Sequence, residues 1–122
     1  MIIHGREIKF LKTVGAVCEI SEHCPGKDLK NITSLWKDGT QAEATNNFAI
    51  IISALNKGYE LAQKWEDPEY KPNPITIEEL MSLNYDVFMS LFTEATIAFY
   101  GDEQTVEVEE SKKKEEITET SD

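Results

Sequence analysis

Cys18, His23 and Cys24 fall within seven consecutive positions and are the nearest approach in the sequence to a reactive cluster. Thiolates and an imidazole are good zinc ligands, and His4 is available as a fourth. Zinc sites usually bring their cysteines in close pairs on turns, a spacing that Cys18 and Cys24 lack. Cys18 also shares a helical face with Val14 and Val17, where a reduced cysteine acts as a small core residue. The residues therefore favour a core cysteine beside an exposed His23, with a metal site or a redox pair as the alternatives. Paired acids stand at Glu78-Glu79, Asp102-Glu103 and Glu109-Glu110. Adjacent acids project to different sides of a helix, and catalysis by such pairs needs environments that split their pKa values. They read as solvated surface charge.

Other enzyme signatures are missing. The six glycines are scattered singly, so no phosphate-cradling loop exists, and no serine sits on a strand-to-helix elbow. No enzyme activity and no cofactor are expected. Trp36, Trp65, Tyr59, Tyr70 and Tyr85 could line a binding groove, although aromatics at helical spacing are more often core. Tyr70, in a proline-rich loop, is the exception and a candidate for contact with a partner.

Any such groove has to be held by helices. Met1–His4 and Glu7–Leu11 are short apolar-leaning runs around Gly5-Arg6, which fits a tight hairpin over residues 1–11 with Ile8 and Phe10 on its apolar face. A hairpin this small needs something to pack against. From Thr13, a suitable cap, the period becomes helical over about 13–23 and ends at Cys24-Pro25-Gly26. Leu29, Ile32, Leu35 and Trp36 make a shorter helix over about 28–36 after an Asp28 cap.

Residues 42–65 carry the strongest helical pattern. Phe48, Ile51, Ile52, Leu55, Tyr59 and Ala62 step along one face, and Ile50, Ala54, Leu61 and Trp65 broaden it. This helix is expected to be central, with Gly58 admitting a close neighbour. After the loop Glu66–Pro74, Thr76 and Glu79 form a capping box for a helix over 76–100, either continuous or interrupted at Leu83-Asn84. Phe88, Leu91, Phe92, Ala95 and Phe99 form its stripe, and Gly101 is its C-cap. The fold class is α+β, mainly helical: an N-terminal β-hairpin packed on a small helical bundle, one compact domain over 1–101.

The chain has 122 residues and a formal net charge of −11. Residues 102–122 hold nine acidic and three lysine residues, a balance of −6, against −5 for residues 1–101. A segment with only Val106, Val108 and Ile117 as sizeable apolar residues cannot offset its ordering entropy, so a flexible acidic C-terminal tail is expected. The acidity disfavours nucleic acid and anionic membrane as partners. With no apolar run long enough to span a bilayer and no signal-peptide pattern, a cytoplasmic protein with reduced thiols is expected.

The layout resembles a known family. Ile2-Ile3-His4-Gly5-Arg6-Glu7-Ile8, the helix through Phe48–Trp65, Ile75-Thr76-Ile77-Glu78-Glu79-Leu80 and the lysine-containing acidic tail after Gly101 are together similar to the tail assembly chaperones of long-tailed phages and prophages of Gram-positive bacteria. The resemblance implies a non-enzymatic protein of the bacterial host cytoplasm. It would bind the long, apolar tape measure protein, keep it soluble and assist polymerisation of the tail tube protein. It also implies a longer frameshifted form, for which codons at Lys112–Lys114 are a candidate slip site. Self-association stays open. The competing class is a small binding or regulatory module with a metal at Cys18, His23 and Cys24.

A chaperone must offer apolar surface while staying soluble. The expected surface is a groove between the central helix, at Ile51, Leu55 and Tyr59, and the last helix, at Phe88 and Phe92. Residues 76–83, carrying Leu80 and Met81, would move to uncover it, with Tyr70 as a further contact.

Overall fold

The computed structural model describes the backbone of residues 1–113 and the side chains of residues 1–101. The chain is mainly helical with a two-stranded antiparallel hairpin at its N-terminal end. Strands β1 (Ile2–Ile3) and β2 (Arg6–Glu7) are followed by α1 (Val14–Glu22) and two single 3₁₀ turns, Pro25–Lys27 and Leu29–Asn31. Then come α2 (Ser34–Lys37), α3 (Gln41–Glu66), α4 (Ile77–Met81) and α5 (Tyr85–Lys113), the last interrupted at Gly101 by a positive φ of 59°. The side chains of the acidic tail expected over 102–122, and residues 114–122 altogether, lie outside the described residues. Among the described residues no helix is long and apolar enough to cross a membrane.

All four other helices pack on α3, which is why its apolar residues wrap more than one side. Ala44, Ala49, Ile51, Ile52, Ala54 and Leu55 are all buried. A helix covered from several directions cannot show a single clean stripe. Thr40 and Glu43 close a full capping box at its start, and Thr76 and Glu79 close another on α4.

Several boundaries differ from the sequence expectation, each for a local reason. The hairpin turn is His4-Gly5, not Gly5-Arg6, with Ile3 paired to Arg6 and φ of 51° and 82° at the two turn residues. Two positive φ values make the turn that suits strand twist, and this register sends both Ile3 and Ile8 into the core. The segment expected as a helix over 28–36 is a 3₁₀ turn and a four-residue α-helix, because the Asp28 side chain caps only Lys30 N–H before the chain turns again. Of the two forms expected for the helix over 76–100, the structure has the interrupted one, with α4 and α5 parted at Leu83-Asn84. Asn84 breaks it: its side chain accepts from Asp86 N–H at 2.9 Å, a competing local bond that starts α5 afresh. In α1 the buried pair is Ala16 and Ile20, so Val14 and Cys18 point to the other side and are exposed.

Two polar side chains on α3 tie down segments that have no ladder of their own. Asn56 is fully buried; its amide N–H donates to Lys9 C=O at 2.8 Å and its oxygen accepts from Ile75 N–H at 2.7 Å. One turn on, buried Glu60 accepts from Tyr70 O–H at 2.6 Å and from Asn73 N–H at 2.9 Å. The extended stretch after β2 and the proline loop are thus both held to α3. The hairpin is fixed to α4 separately, by Arg6 donating to both carboxylate oxygens of Glu79 at 3.0 and 3.2 Å.

Gly58 makes this approach possible. A Cβ there would lie 2.7 Å from Leu11 O and 2.7 Å from Thr13 Oγ1, and Leu11 N–H bonds to Leu55 O at 3.0 Å next to it. Because a backbone oxygen is one of the obstacles, relief requires moving the chain. Gly58→Ala is expected to lose about 1 kcal/mol or more, overpacking outweighing the helix propensity gained. Gly15 in α1 meets nothing within 4 Å. Gly15→Ala should therefore gain about 0.5–1 kcal/mol. Urea unfolding of the two variants beside the wild type checks both signs.

Candidate protein-binding groove

An apolar opening bordered by both α1 and α3 lies beside Gly58. Ala16 and Ile20 of α1 sit in the same core as Ala54 and Leu55 of α3. At the Gly58 level the helices are close, yet the residues facing the gap are Gly15, Ala16, Ala54, Gly58 and Ala62, which have little side chain to fill it. The result is a groove of about 400 Å³ with Leu61 and Trp65 on its wall. The last turns of α3 continue past the start of α1, which leaves Leu61 and Trp65 exposed on that side. Trp65 is 89% exposed, Leu61 45%, and Val14, on an adjoining depression with Val17 and Cys18, is 82% exposed.

Isolated exposed apolar residues are ordinary, but an aromatic at the edge of a small-residue groove is a contiguous patch. Burying a side chain of this kind is worth roughly 1.5–3 kcal/mol, enough to anchor a partner. The polar lining is already engaged. Thr13 Oγ1 accepts from Ala16 N–H at 3.1 Å as the α1 cap, and Glu19 pairs with Lys57 at 3.7 Å. Such a site can hold an apolar side chain between charges that stay in water; it presents no activated nucleophile.

Of the residues expected to form a groove between the central and last helices, Ile51, Leu55, Leu80 and Phe88 are buried together in one core, and Ile51 and Phe92 border a small opening with Trp36 and Phe99. Phe92 is half-buried in an aromatic cluster with Phe48, centroids 4.1 Å apart, and with Trp36 at 6.3 Å. Tyr59 is half-buried with Lys9 Nζ 6.0 Å from its ring centre, and Met81 is exposed on α4. Tyr70, expected to be exposed, turns its hydroxyl inward to Glu60. That hydrogen bond, reinforced by burial and the carboxylate charge, pushes the Tyr70 pKa up to about 12.

The cysteine expectation is reversed. Cys18 is exposed, whereas Cys24 is buried with its thiol donating to Ile20 O at 3.4 Å, and burial raises its pKa. His23 is exposed at the end of α1. Among the described residues no three His, Cys, Asp or Glu side chains converge as a metal site would require. The α1–α3 groove was missed because Leu61 and Trp65 continue an apolar face that reads as core. The usable signal was the run of small residues at Ala54, Gly58 and Ala62 beneath it.

No protein-family model, no curated protein and no solved structure matches the chain.

The Tyr70–Glu60 bond sets a pH dependence. A raised pKa means that the fold favours neutral Tyr70, so its contribution is complete below pH 10 and is lost as pH rises through about 12. Tyr70→Phe is expected to be less stable than the wild type by about 1 kcal/mol at neutral pH. That difference should stay constant up to pH 10 and close by pH 12, as read by denaturant unfolding at a series of pH values.

Proposed function

We propose that this protein is a non-enzymatic chaperone that binds an apolar, helical stretch of a longer protein through the α1–α3 groove. The observation that carries the reading is the wall of Leu61 and Trp65 standing over a floor of small residues, with Trp65 almost wholly exposed. A groove with a narrow floor and an aromatic wall suits the apolar face of a helix, read through anchors one turn apart. The net charge of −11 keeps a chain with such a patch soluble by mutual repulsion.

Joined to the layout of hairpin, central helix, capped Thr76–Glu79 segment and acidic tail, this reading favours a tail assembly chaperone. Its client is then the tape measure protein, held soluble while tail tube protein polymerises around it, in the cytoplasm of a bacterial host. The partner surface is Val14, Leu61 and Trp65, and the buried residues Ile51, Leu55, Leu80 and Phe88 serve the fold that presents it.

Co-expression with the long, apolar-rich protein encoded beside its own gene tests this. The wild-type chain should bring that protein into the soluble fraction and co-purify with it. Leu61→Asp combined with Trp65→Ser, both at exposed positions, should abolish co-purification while leaving the thermal midpoint within about 2 °C, as surface substitutions cost under about 0.5 kcal/mol. Undiminished co-purification by this variant would remove the groove from the reading.

A further inference from the structure

The groove carries a local charge opposite to that of the chain around it. Among the described residues, the groove and the two depressions that adjoin it are lined by Lys12, Lys57 and Lys64 against Glu19, a balance of +2, whereas residues 1–101 as a whole carry −5. Glu66, Asp67 and Glu69 follow Trp65 in the chain and line none of the three. Lys57, Leu61 and Lys64 step by four and three along α3 and share one edge of it. The two lysines are thus about 10 Å apart along the axis, with an apolar anchor between them. Neither charge is firmly committed. Lys57 meets Glu19 at 3.7 Å with both side chains well exposed, a pairing that contributes little. Among the described residues Lys64 has no acidic partner within 4.0 Å. Its place in the last turn of α3 suits a cation, and that role leaves the ammonium group in water. Lys12, by contrast, is engaged by Phe99, with Nζ 4.5 Å from the ring centre.

We propose that the client segment seated here is an amphipathic helix whose apolar anchors are flanked by two acidic residues about two turns apart, one for Lys57 and one for Lys64. Its apolar residues lie against Leu61 and Trp65 over the small-residue floor, and its carboxylates reach the lysines on either side of that contact. The lysine stems extend the apolar contact while their ammonium groups stay in water. The spacing is that of any helix. Positions seven apart on a partner laid along α3 span the same distance of about 10 Å, and the groove, from Ala54 to Trp65, is about 17 Å long. The lysines also decide what is admitted. A chain of net charge −11 attracts basic segments in general, and a lysine edge turns them away where the apolar anchors seat. Affinity then comes from the apolar wall and selectivity from the charged edge. The inference rests on the groove being the client surface.

The test uses the full chain and two fluorophore-labelled peptides of about 18 residues, long enough to overrun the groove. Both are stapled helices with leucines one turn apart. One carries glutamates seven positions apart on either side of the leucines, and the other carries lysines at the same two places. By fluorescence anisotropy the wild type should bind the glutamate peptide on the order of ten-fold more tightly at about 0.05 M salt, a ratio that shrinks to about two-fold at about 0.5 M. Lys57→Glu with Lys64→Glu should invert the preference, a result that loss of the fold cannot produce. Equal binding of the two peptides by the wild type, tighter binding of the lysine peptide, or binding of neither overturns the proposal. A free chain that sediments as a dimer, and as a monomer on Leu61→Asp with Trp65→Ser, assigns the groove to a second copy and overturns it too. If Lys57→Glu with Lys64→Glu co-purifies the co-expressed client as well as the wild type does, while Leu61→Asp with Trp65→Ser loses it, the chaperone reading stands and the acidic flanks alone fall.

Discussion

One buried amide holds the architecture together. Asn56 lies in the middle of α3 with no exposure to solvent, and both ends of its side chain are used, one by Lys9 and the other by Ile75. Neither of those segments has a ladder of its own, and besides Asn56 the first is held to α3 by Leu11 N–H bonding to Leu55 O. A buried peptide group without a partner costs about 1–3 kcal/mol, and Asn56 spares both segments that cost by supplying a donor to one and an acceptor to the other. Glu60 repeats the device for the proline loop through Tyr70 and Asn73. The remaining packing is aliphatic and adaptable; these bonds set the register.

The groove is a by-product of the same constraint. For Leu11 to reach Leu55 O and Thr13 to start α1, residue 58 must lack a side chain. The small residues around it leave little side chain to fill the space between α1 and α3. The overhanging end of α3 then keeps Leu61 and Trp65 in water at a cost the compact part of the fold must offset. Stability and the groove are in this sense built from the same stretch of one helix, which is the opposite of a site placed on loops over a finished scaffold.

Much of the fold was legible in the sequence. The helical period through Phe48, Ile51, Ile52 and Leu55, the Thr76–Glu79 capping box, the Thr13 cap and the stop at Cys24-Pro25-Gly26 all depend on neighbours within four or five residues, and each is present. What pattern could not supply was the order in which faces are covered. Val14 and Cys18 look as apolar as Ala16 and Ile20, and only the position of α3 decides which pair is buried. Trp65 extends a core stripe in one dimension but projects past the start of α1 in three. The buried roles of Asn56 and Glu60 were invisible for the same reason: their partners lie 47 and 10 to 19 residues away.

The Arg6–Glu79 pair bears on how the chain is born. The two residues are 73 apart, and Lys9 waits for Asn56 across 47. Synthesis runs from the N-terminal end, so the hairpin emerges before the groups that hold it have been made. It has to linger unpaired outside the ribosome until α4 follows, with Ile3 and Ile8 still in water. α3 can coil on its own as it appears, whereas the hairpin docks only after α4 has emerged. The hairpin is thus among the last parts to be locked in place, since long-range closure of this kind is slow.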